Sequence, residues 1–186
     1  MSGRLVHFLR HGESELAGRL VGRTDCAVTR QGVAACLDQA EGLAVDAILS
    51  SDLIRARDCA QAVATRLALT PRIDPRWREL DFGAWDGRAA AEIDGEDLGR
   101  FWADPDTHAP PGGESWSSLR TRVGRAFDDL PEGSVLVVTH GGAMRAVLAH
   151  LFGFDQRQLW AFDLPCASLL SIRTWGDGAQ IVGLAP

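Results

Sequence analysis

Two histidines follow apolar runs, and their neighbours are typical of a catalytic site. The run at residues 5–9 leads through Arg10 into His11, the run Val135–Thr139 leads into His140, and a glycine follows each histidine. Runs of this kind predict buried strands that break into loops. Because ligands of open α/β sheets lie at the carboxyl ends of strands, the two histidines are candidates for one shared site.

The residues beside these histidines favour an anionic ligand, and phosphate in particular. Gly141 and Gly142 begin an amphipathic pattern, and a glycine turn at a helix start offers free N–H groups to an anion at close range. Arg10 and Arg55 supply planar guanidinium groups that match two phosphate oxygens at once. We therefore expect these two arginines and the glycine turn at Gly141 to hold one phosphate group.

A metal centre is the main alternative use of two histidines. The sequence has no H-E-x-x-H or H-x-H spacing and no cluster of carboxylates, so a metal ligand set is not expected. All 19 Lys and Arg residues are arginine and tyrosine is absent, which excludes a lysine Schiff base and a tyrosine nucleophile. His7, His108 and His150 lack comparable neighbours and are expected to be structural or surface residues.

Composition limits the partners and the location of the protein. A formal net charge of −6 argues against a surface for nucleic acid or anionic membranes, because both need clustered cations. The cysteines have no C-x-x-C spacing, so we expect neither a zinc knuckle nor a redox pair, but small buried side chains. The apolar run near residue 5 is too short for a signal or membrane segment, which predicts a cytoplasmic protein.

The order of the patterns predicts a single α/β domain over residues 1–186. Amphipathic helices are expected near residues 29–43, directly after the N-cap candidates Ser51 and Asp52, at residues 115–130, and after Gly142. Strands that alternate with such helices favour a mostly parallel sheet covered on both faces, which is a three-layer α/β/α sandwich. Residues 104–113 are rich in proline and glycine and are expected to form a loop that could cover the site.

Four short segments in a fixed order carry most of these candidate residues. They lie at residues 9–14 (LRHGES), 50–57 (SSDLIRAR), 79–83 (ELDFG) and 139–142 (THGG). Their sequences, order and spacing resemble the signature of the histidine phosphatase superfamily, also called the phosphoglycerate mutase-like family, from residue 4 to about residue 150. The resemblance implies a phosphatase that needs no metal or cofactor and acts on a small phosphomonoester.

The resemblance also implies a role for each matching residue. It makes His11 the nucleophile that becomes phosphohistidine, Glu79 the general acid, and Arg10, Arg55 and His140 the phosphate pocket. A neutral imidazole offers phosphorus a lone pair, and cationic partners neutralise charge on the transferring oxygens. Taken alone, Glu79 is typical of a solvated turn acid with arginine neighbours, so its catalytic role depends on the resemblance.

One position departs from the family pattern. Many members carry an asparagine a few residues after the nucleophile segment, where it helps to hold the phosphate, and this chain has Ala17 there. The placement of that phosphate contact is therefore open, whereas the nucleophile is not affected.

Two further segments narrow the substrate. Residues 79–87 (ELDFGAWDG) and 110–115 (PPGGES) are similar to segments of many α-ribazole phosphatases, and broader phosphatases also carry the second. The short chain lacks the insertions of the larger mutases, which favours hydrolysis. α-Ribazole 5′-phosphate, from cobalamin biosynthesis, is one candidate substrate, and Trp85 or Trp102 could stack on its flat base, although packing is the commoner role of tryptophan.

Several alternatives stay open from the sequence. The chain could be a broad-specificity phosphatase, a phosphoglycerate mutase-type enzyme, or a phosphate-binding module that has lost turnover. A binding module of this kind would usually lack a catalytic residue, and here all five candidates are present. A homodimer and a mutase side activity are also left open.

Overall fold

The computed structural model describes residues 3–186, whose strands form one six-stranded sheet in the order β3-β2-β4-β1-β5-β6. The strands are β1 (Arg4–Arg10), β2 (Ala47–Ser50), β3 (Arg72–Ile73), β4 (Val135–Thr139), β5 (Leu169–Trp175) and β6 (Gly178–Ala185). The first four are parallel to one another, while β5 pairs antiparallel with β1 and β6 antiparallel with β5. The predicted mostly parallel sheet is confirmed.

Alternate side chains of the central strands enter two separate cores. Phe8 of β1 and Val137 of β4 face one core, whereas their neighbours Leu9 and Val138 face the other. This alternation follows from the two-residue repeat of a strand and requires apolar cover on both faces. The sheet is therefore the middle layer of the predicted α/β/α sandwich.

Six helices provide that cover. They are α1 (Arg30–Gln39), α2 (Ile54–Leu67), α3 (Gly95–Ala103), α4 (Trp116–Asp128), α5 (Gly141–Phe152) and α6 (Gln156–Trp160). Helices α1 and α2 bury their apolar faces in one core, and α4 and α5 bury theirs in the other. No helix within residues 3–186 is long and apolar enough to cross a membrane.

The predicted helices are present, but the start of α2 differs from the prediction. Its N-cap position is Leu53, which makes no side-chain cap hydrogen bond. The side chains of the predicted caps are used elsewhere: the Ser51 hydroxyl accepts from the N–H of Leu53 at 3.3 Å, and Asp52 pairs with Arg78. The shift leaves Arg55 in the first turn, as expected.

Five elements are not predicted by the sequence patterns, namely β3, α3, α6, β5 and β6. Helix α3 contains Gly95 and Gly99, which lower helix propensity, and only Phe101 of this helix is fully buried. Strand β6 lies at the sheet edge and is only half-buried, so its hydrophobic alternation is weak. Residues 104–113 contain no helix or strand, as predicted.

The cysteines are all free thiols. Cys26, Cys36 and Cys59 are buried, in agreement with the prediction, whereas Cys166 is exposed and contradicts it. Cys166 lies in the loop before β5, beside the cavity that contains His11, so the packed core does not reach it.

Candidate active site

The position of His11 is fixed by backbone hydrogen bonds on two sides. Its N–H donates to the carbonyl of Thr139 at 2.9 Å, and its carbonyl accepts from the N–H of Ala167 at 3.1 Å. The next residue must be glycine, because a Cβ at Gly12 would lie 2.1 Å from the carbonyl oxygen of Gly32. The end of β1 is thus pressed against α1, and His11 has little freedom to move.

The hydrogen bonds of the His11 ring determine which nitrogen carries the proton. Nδ1 lies 2.7 Å from the carbonyl oxygen of Gly12, and a carbonyl can only accept, so Nδ1 must donate. Nε2 is then left with its lone pair, which accepts from Nε of Arg55 at 3.3 Å. This tautomer presents Nε2 as the nucleophilic atom of the ring.

The surroundings of His11 also keep its ring neutral. Burial lowers its pKa to about 3, and the positive charges of Arg55 and Arg10 act in the same direction, while the hydrogen bond to Gly12 opposes them. The ring is only 7% exposed. At neutral pH His11 is therefore an uncharged imidazole, which is the form that can attack phosphorus.

His140 lies beside His11, at the N-cap of α5. The two ring centroids are 5.0 Å apart, and His140 is fully buried. Neither of its ring nitrogens has a hydrogen-bond partner among residues 3–186. Burial, then Arg55 and His11, hold the pKa of His140 well below its usual range. Buried polar atoms without partners are uncommon, so these nitrogens are available for a ligand.

Arg55 is fully buried and is bound mainly by backbone carbonyls. Nη1 donates to Thr24 at 2.9 Å, and Nη2 donates to Val21 at 3.0 Å and to Gly22 at 2.8 Å. Together with the bond to His11, these contacts use four of its five N–H groups. The bidentate contact with phosphate that the sequence predicts for Arg55 is therefore not available in this arrangement. One N–H group of Nη1 remains free to bind a phosphate oxygen.

The loop that binds Arg55 is itself held by Asp86, a residue that the sequence analysis did not single out. Its carboxylate accepts from the N–H groups of Gly22, Arg23 and Thr24 at 3.1, 2.6 and 3.2 Å. The carbonyls of this loop can then face Arg55, which in turn faces His11. The only sequence signal for Asp86 is its place in segment 79–87.

Arg10 and Gly141 lie together at the other side of the site. Nη1 of Arg10 donates to the carbonyl of Leu164 at 2.6 Å, and its buried Nε has no partner in the described part of the chain. A Cβ at Gly141 would lie 3.5 Å from the guanidinium carbon of Arg10. The structure thus brings Arg10 close to the start of α5, as the sequence analysis expected.

Glu79 is half-buried and is bound to the same helix start. Its Oε1 accepts from the N–H of Leu80 at 2.8 Å, and its Oε2 accepts from the N–H of Gly142 at 3.0 Å. A Cβ at position 142 would lie 2.1 Å from Oε1, so the close approach requires glycine. The Gly142 N–H, expected to bind phosphate, is therefore occupied by the candidate acid.

The backbone of Glu79 is held by Arg122 of α4, which the sequence analysis also missed. Nη2 of Arg122 donates to the Glu79 carbonyl at 2.8 Å, and Nη1 donates to the carbonyls of Arg76 and Arg78 at 2.9 and 2.8 Å. Glu114, in the proline-rich loop, binds the same guanidinium at 2.8 and 2.7 Å. This contact joins segments 79–87 and 110–115, and nothing local in the sequence indicates it.

Two cavities meet at Glu79. One, of about 360 Å³, is lined by His11 and by Ala17, the position where many family members have asparagine. The other, of about 330 Å³, has five aromatic side chains in its lining, together with Gly141. Arg10, Glu79 and Phe82 line both. A ligand at His11 can therefore extend past Glu79 into the second cavity.

The remaining histidines lie outside this site. His7 bonds to the Ser171 hydroxyl at 2.8 Å, His150 lies 3.2 Å from Asp128, and His108 is exposed. These positions agree with the structural and surface roles predicted for them. Within the described residues, no group of three or more His, Cys, Asp or Glu side chains is arranged to hold a metal ion.

The fold and the site define an α/β protein with a buried histidine pair at the carboxyl ends of parallel strands, beside Arg10 and Arg55. The family model of the histidine phosphatase superfamily (branch 1) matches residues 6–185. The chain belongs to this family. The family predicted from the sequence is therefore confirmed.

Relatives with several different names are similar to the chain. It is 35% identical over 190 residues to a bifunctional protein of Mycobacterium tuberculosis, covering 95% of this chain but only 52% of that protein, so it spans about half the length of that relative. A glucosyl-3-phosphoglycerate phosphatase of the same organism is 32% identical over 170 residues, with 81% and 76% covered.

The third relative is the adenosylcobalamin/alpha-ribazole phosphatase of Escherichia coli, which is 30% identical over 182 residues and 88% covered in both chains. A solved structure of a candidate alpha-ribazole-5′-P phosphatase from Escherichia coli has a TM-score of 0.87 and 25% identity, with 100% of this chain and 97% of that chain covered. The fold prediction is confirmed by this likeness.

Proposed function

We propose that this chain is a metal-independent phosphomonoesterase that transfers the phosphoryl group of a small organic phosphate to His11 and then to water. The observation that carries the proposal is the state of His11. It is buried and neutral, its Nδ1 is bound to Gly12, and its Nε2 carries a lone pair in a cavity lined by Arg10 and Glu79. We include in the proposal the cytoplasmic location that the sequence predicts.

In the first step, Nε of Arg55 releases Nε2 of His11, the lone pair of Nε2 attacks phosphorus, and the bond from phosphorus to the ester oxygen breaks. Glu79 donates its proton to that oxygen, so the product leaves as a neutral alcohol. The carbonyl of Gly12 stabilises the positive charge that develops on the His11 ring, because Nδ1 donates to it. Arg10, the free N–H of Arg55, and His140 bind the phosphoryl oxygens, whose charge they help to stabilise in the transition state.

In the second step, water attacks the phosphohistidine. Glu79, now a carboxylate, takes a proton from the water, the bond between phosphorus and nitrogen breaks, and His11 returns to its neutral form. The N–H groups of Leu80 and Gly142 hold the two oxygens of Glu79 at the boundary of both cavities, so the same carboxyl group is in position for both steps.

For the substrate, we propose α-ribazole 5′-phosphate, with a broad specificity as the alternative. The similarity to the Escherichia coli adenosylcobalamin/alpha-ribazole phosphatase supports the first choice. The comparable similarity to a glucosyl-3-phosphoglycerate phosphatase supports a second candidate, in which the leaving group carries a sugar and a carboxylate.

The test is phosphate release from α-ribazole 5′-phosphate, glucosyl-3-phosphoglycerate and 3-phosphoglycerate, measured with a chelator present. We expect release by the native chain and a loss of roughly a thousandfold or more in His11→Ala, because the nucleophile is removed. His108→Ala is the matched control, since His108 is an exposed histidine outside the site.

Each arm of this test can contradict the proposal. Full activity in His11→Ala would remove the nucleophile assignment, and loss of activity on chelation would replace the mechanism with a metal-dependent one. A native chain that binds phosphate but cleaves none of the esters would be a phosphate-binding module. Transfer of phosphate between positions of 3-phosphoglycerate would indicate mutase chemistry.

A further inference from the structure

The second cavity has an aromatic wall that the phosphoryl chemistry does not use. Its lining includes the rings of Phe82, Phe101, Trp102, Trp116 and Trp160. Trp102 and Trp160 lie edge to face, with ring centroids 5.1 Å apart, and are 37% and 45% exposed. Large aromatic side chains that remain this exposed beside a cavity are not explained by core packing, and they offer stacking surfaces to a ligand.

The charges that this lining leaves for the alcohol part of the substrate cancel. Arg10 is assigned to the phosphoryl group and Glu79 to the ester oxygen, which leaves Arg145 and Asp163, one charge of each sign. Arg145 is held by two contacts with the protein: Nη2 donates to the carbonyl of Phe162 at 3.1 Å, and Nη1 makes a longer contact of 3.4 Å with the Gly141 carbonyl. Its guanidinium lies 4.5 Å from the ring centroid of Trp160, and its buried Nε has no partner in the described part of the chain. The cavity therefore offers aromatic surface and no excess charge, which favours an uncharged ligand.

The position of the cavity identifies the part of the substrate that enters it. The general acid must lie at the ester oxygen, and Glu79 lines both cavities. With phosphorus on the His11 side of Glu79, the group attached to the ester oxygen lies on the other side. A volume of about 330 Å³ is at the lower end of the range of about 300–1,000 Å³ typical of small-molecule sites.

We propose that this cavity is the leaving-group subsite, and that it binds an uncharged, flat heteroaromatic ring system carried by the substrate alcohol, through stacking on Trp102 and Trp160. The proposal rests on the phosphatase function proposed above and extends it to a class of substrate and to two specificity-determining residues. It favours a phosphorylated ribose that carries a base over a substrate whose alcohol part bears a carboxylate.

The experiment compares two esters of the same sugar hydroxyl, α-ribazole 5′-phosphate and ribose 5-phosphate, which differ in the presence of the flat base. The readout is the ratio of their kcat/KM values, in the native chain and in Trp160→Leu, Trp102→Leu and Trp160→Phe. Trp175→Leu is the matched control, because Trp175 is a similarly exposed tryptophan, 38% exposed, that does not line this cavity.

We expect the native chain to prefer the base-bearing ester, and each leucine variant to lower this preference by about tenfold, the effect of losing one stacked base. Trp160→Phe should keep most of the preference because it keeps a ring, and Trp175→Leu should not change the ratio. The subsite is refuted if the native chain cleaves both esters equally well, or if the leucine variants lower both kcat/KM values by the same factor.

Two further outcomes separate this inference from the phosphatase proposal. Release from 3-phosphoglycerate or glucosyl-3-phosphoglycerate that exceeds release from both ribose esters would overturn the uncharged-ring assignment while leaving the phosphatase intact. If none of the esters releases phosphate, both proposals fail.

Discussion

The two cavities that meet at Glu79 differ in how their walls are held. On the His11 side, Arg55 is fully buried and is tied to three backbone carbonyls, and the loop that supplies those carbonyls is tied to Asp86. On the aromatic side, Trp102 and Trp160 are more than one-third exposed and contact each other through ring packing. One wall is a hydrogen-bond network and the other is a stacking surface.

This difference matches the two tasks proposed for the site. Phosphoryl transfer needs groups that are already oriented toward the developing charge, because reorganisation during the reaction raises the barrier. Recognition of a leaving group tolerates movement, since stacking does not depend on a single set of distances. We therefore expect changes in the network to affect stability and rate together, and changes on the aromatic wall to affect substrate preference alone.

The largest effect is expected for the ion pair between Arg122 and Glu114, because Arg122 also holds the backbone of Glu79. Glu114→Ala leaves a largely buried guanidinium without its carboxylate, because the two side chains are only 18% and 13% exposed. Breaking such a pair typically costs about 3–5 kcal/mol of unfolding free energy. Urea unfolding should show this loss, together with lower activity, because Arg122 also holds the carbonyl of Glu79.

Glu96→Ala is the control for this change. Glu96 pairs with Arg100 on the surface of α3 and is 74% exposed, so its removal should cost less than about 1 kcal/mol. Equal losses in the two variants would mean that the Arg122 pair contributes no more than an ordinary surface ion pair.

A smaller effect on the free energy of unfolding is expected when the pH decreases. In the unfolded chain His11 titrates near pH 6.5, and in the folded protein burial and two arginines lower its pKa to about 3. Between these values the unfolded state binds a proton that the folded state does not, so the free energy of unfolding falls as the pH decreases below 6.5. For His11 the loss is about 2 kcal/mol at pH 5, and His140, whose pKa is also lowered, adds to it.

Urea unfolding at pH 7.5 and pH 5 measures this dependence in the native chain, His11→Asn and Trp160→Leu. The asparagine variant should lose less stability on acidification than the native chain, whereas the leucine variant should match the native chain. The same pH dependence in all three proteins would show that the folded state binds the His11 proton as readily as the unfolded state does.

The smallest effect is expected from Gly142→Ala, which displaces the carboxylate of Glu79, a residue that lines both cavities. The added methyl would lie 2.1 Å from Oε1 of Glu79, so the carboxylate must move from the ester oxygen. We expect kcat to fall by about tenfold for alkyl esters, which need a general acid, and by much less for p-nitrophenyl phosphate, whose leaving group needs little protonation. Gly99→Ala, where a Cβ meets nothing within 4 Å, is the control. Equal losses on both ester types would show that Gly142 does not act through Glu79.

The sequence by itself determined the framework of this protein. The apolar runs before His11 and His140 predicted β1 and β4, and the glycines after them placed both histidines at one edge of the sheet. Four ordered segments were sufficient to identify the family, whose model matches residues 6–185. These features are local, so a pattern of neighbours along the chain can reveal them.

Only the tertiary structure decided how the site is held together. The links from Asp86 to the loop before α1, from Arg122 to Glu79, and from Gly142 to Glu79 each join residues more than 40 positions apart. No periodicity or spacing encodes such contacts, because they depend on which backbone groups the fold leaves without partners. The same holds for Trp102 and Trp160, which lie 58 residues apart in the sequence and form one surface only because α3 and α6 pack at the mouth of the same cavity.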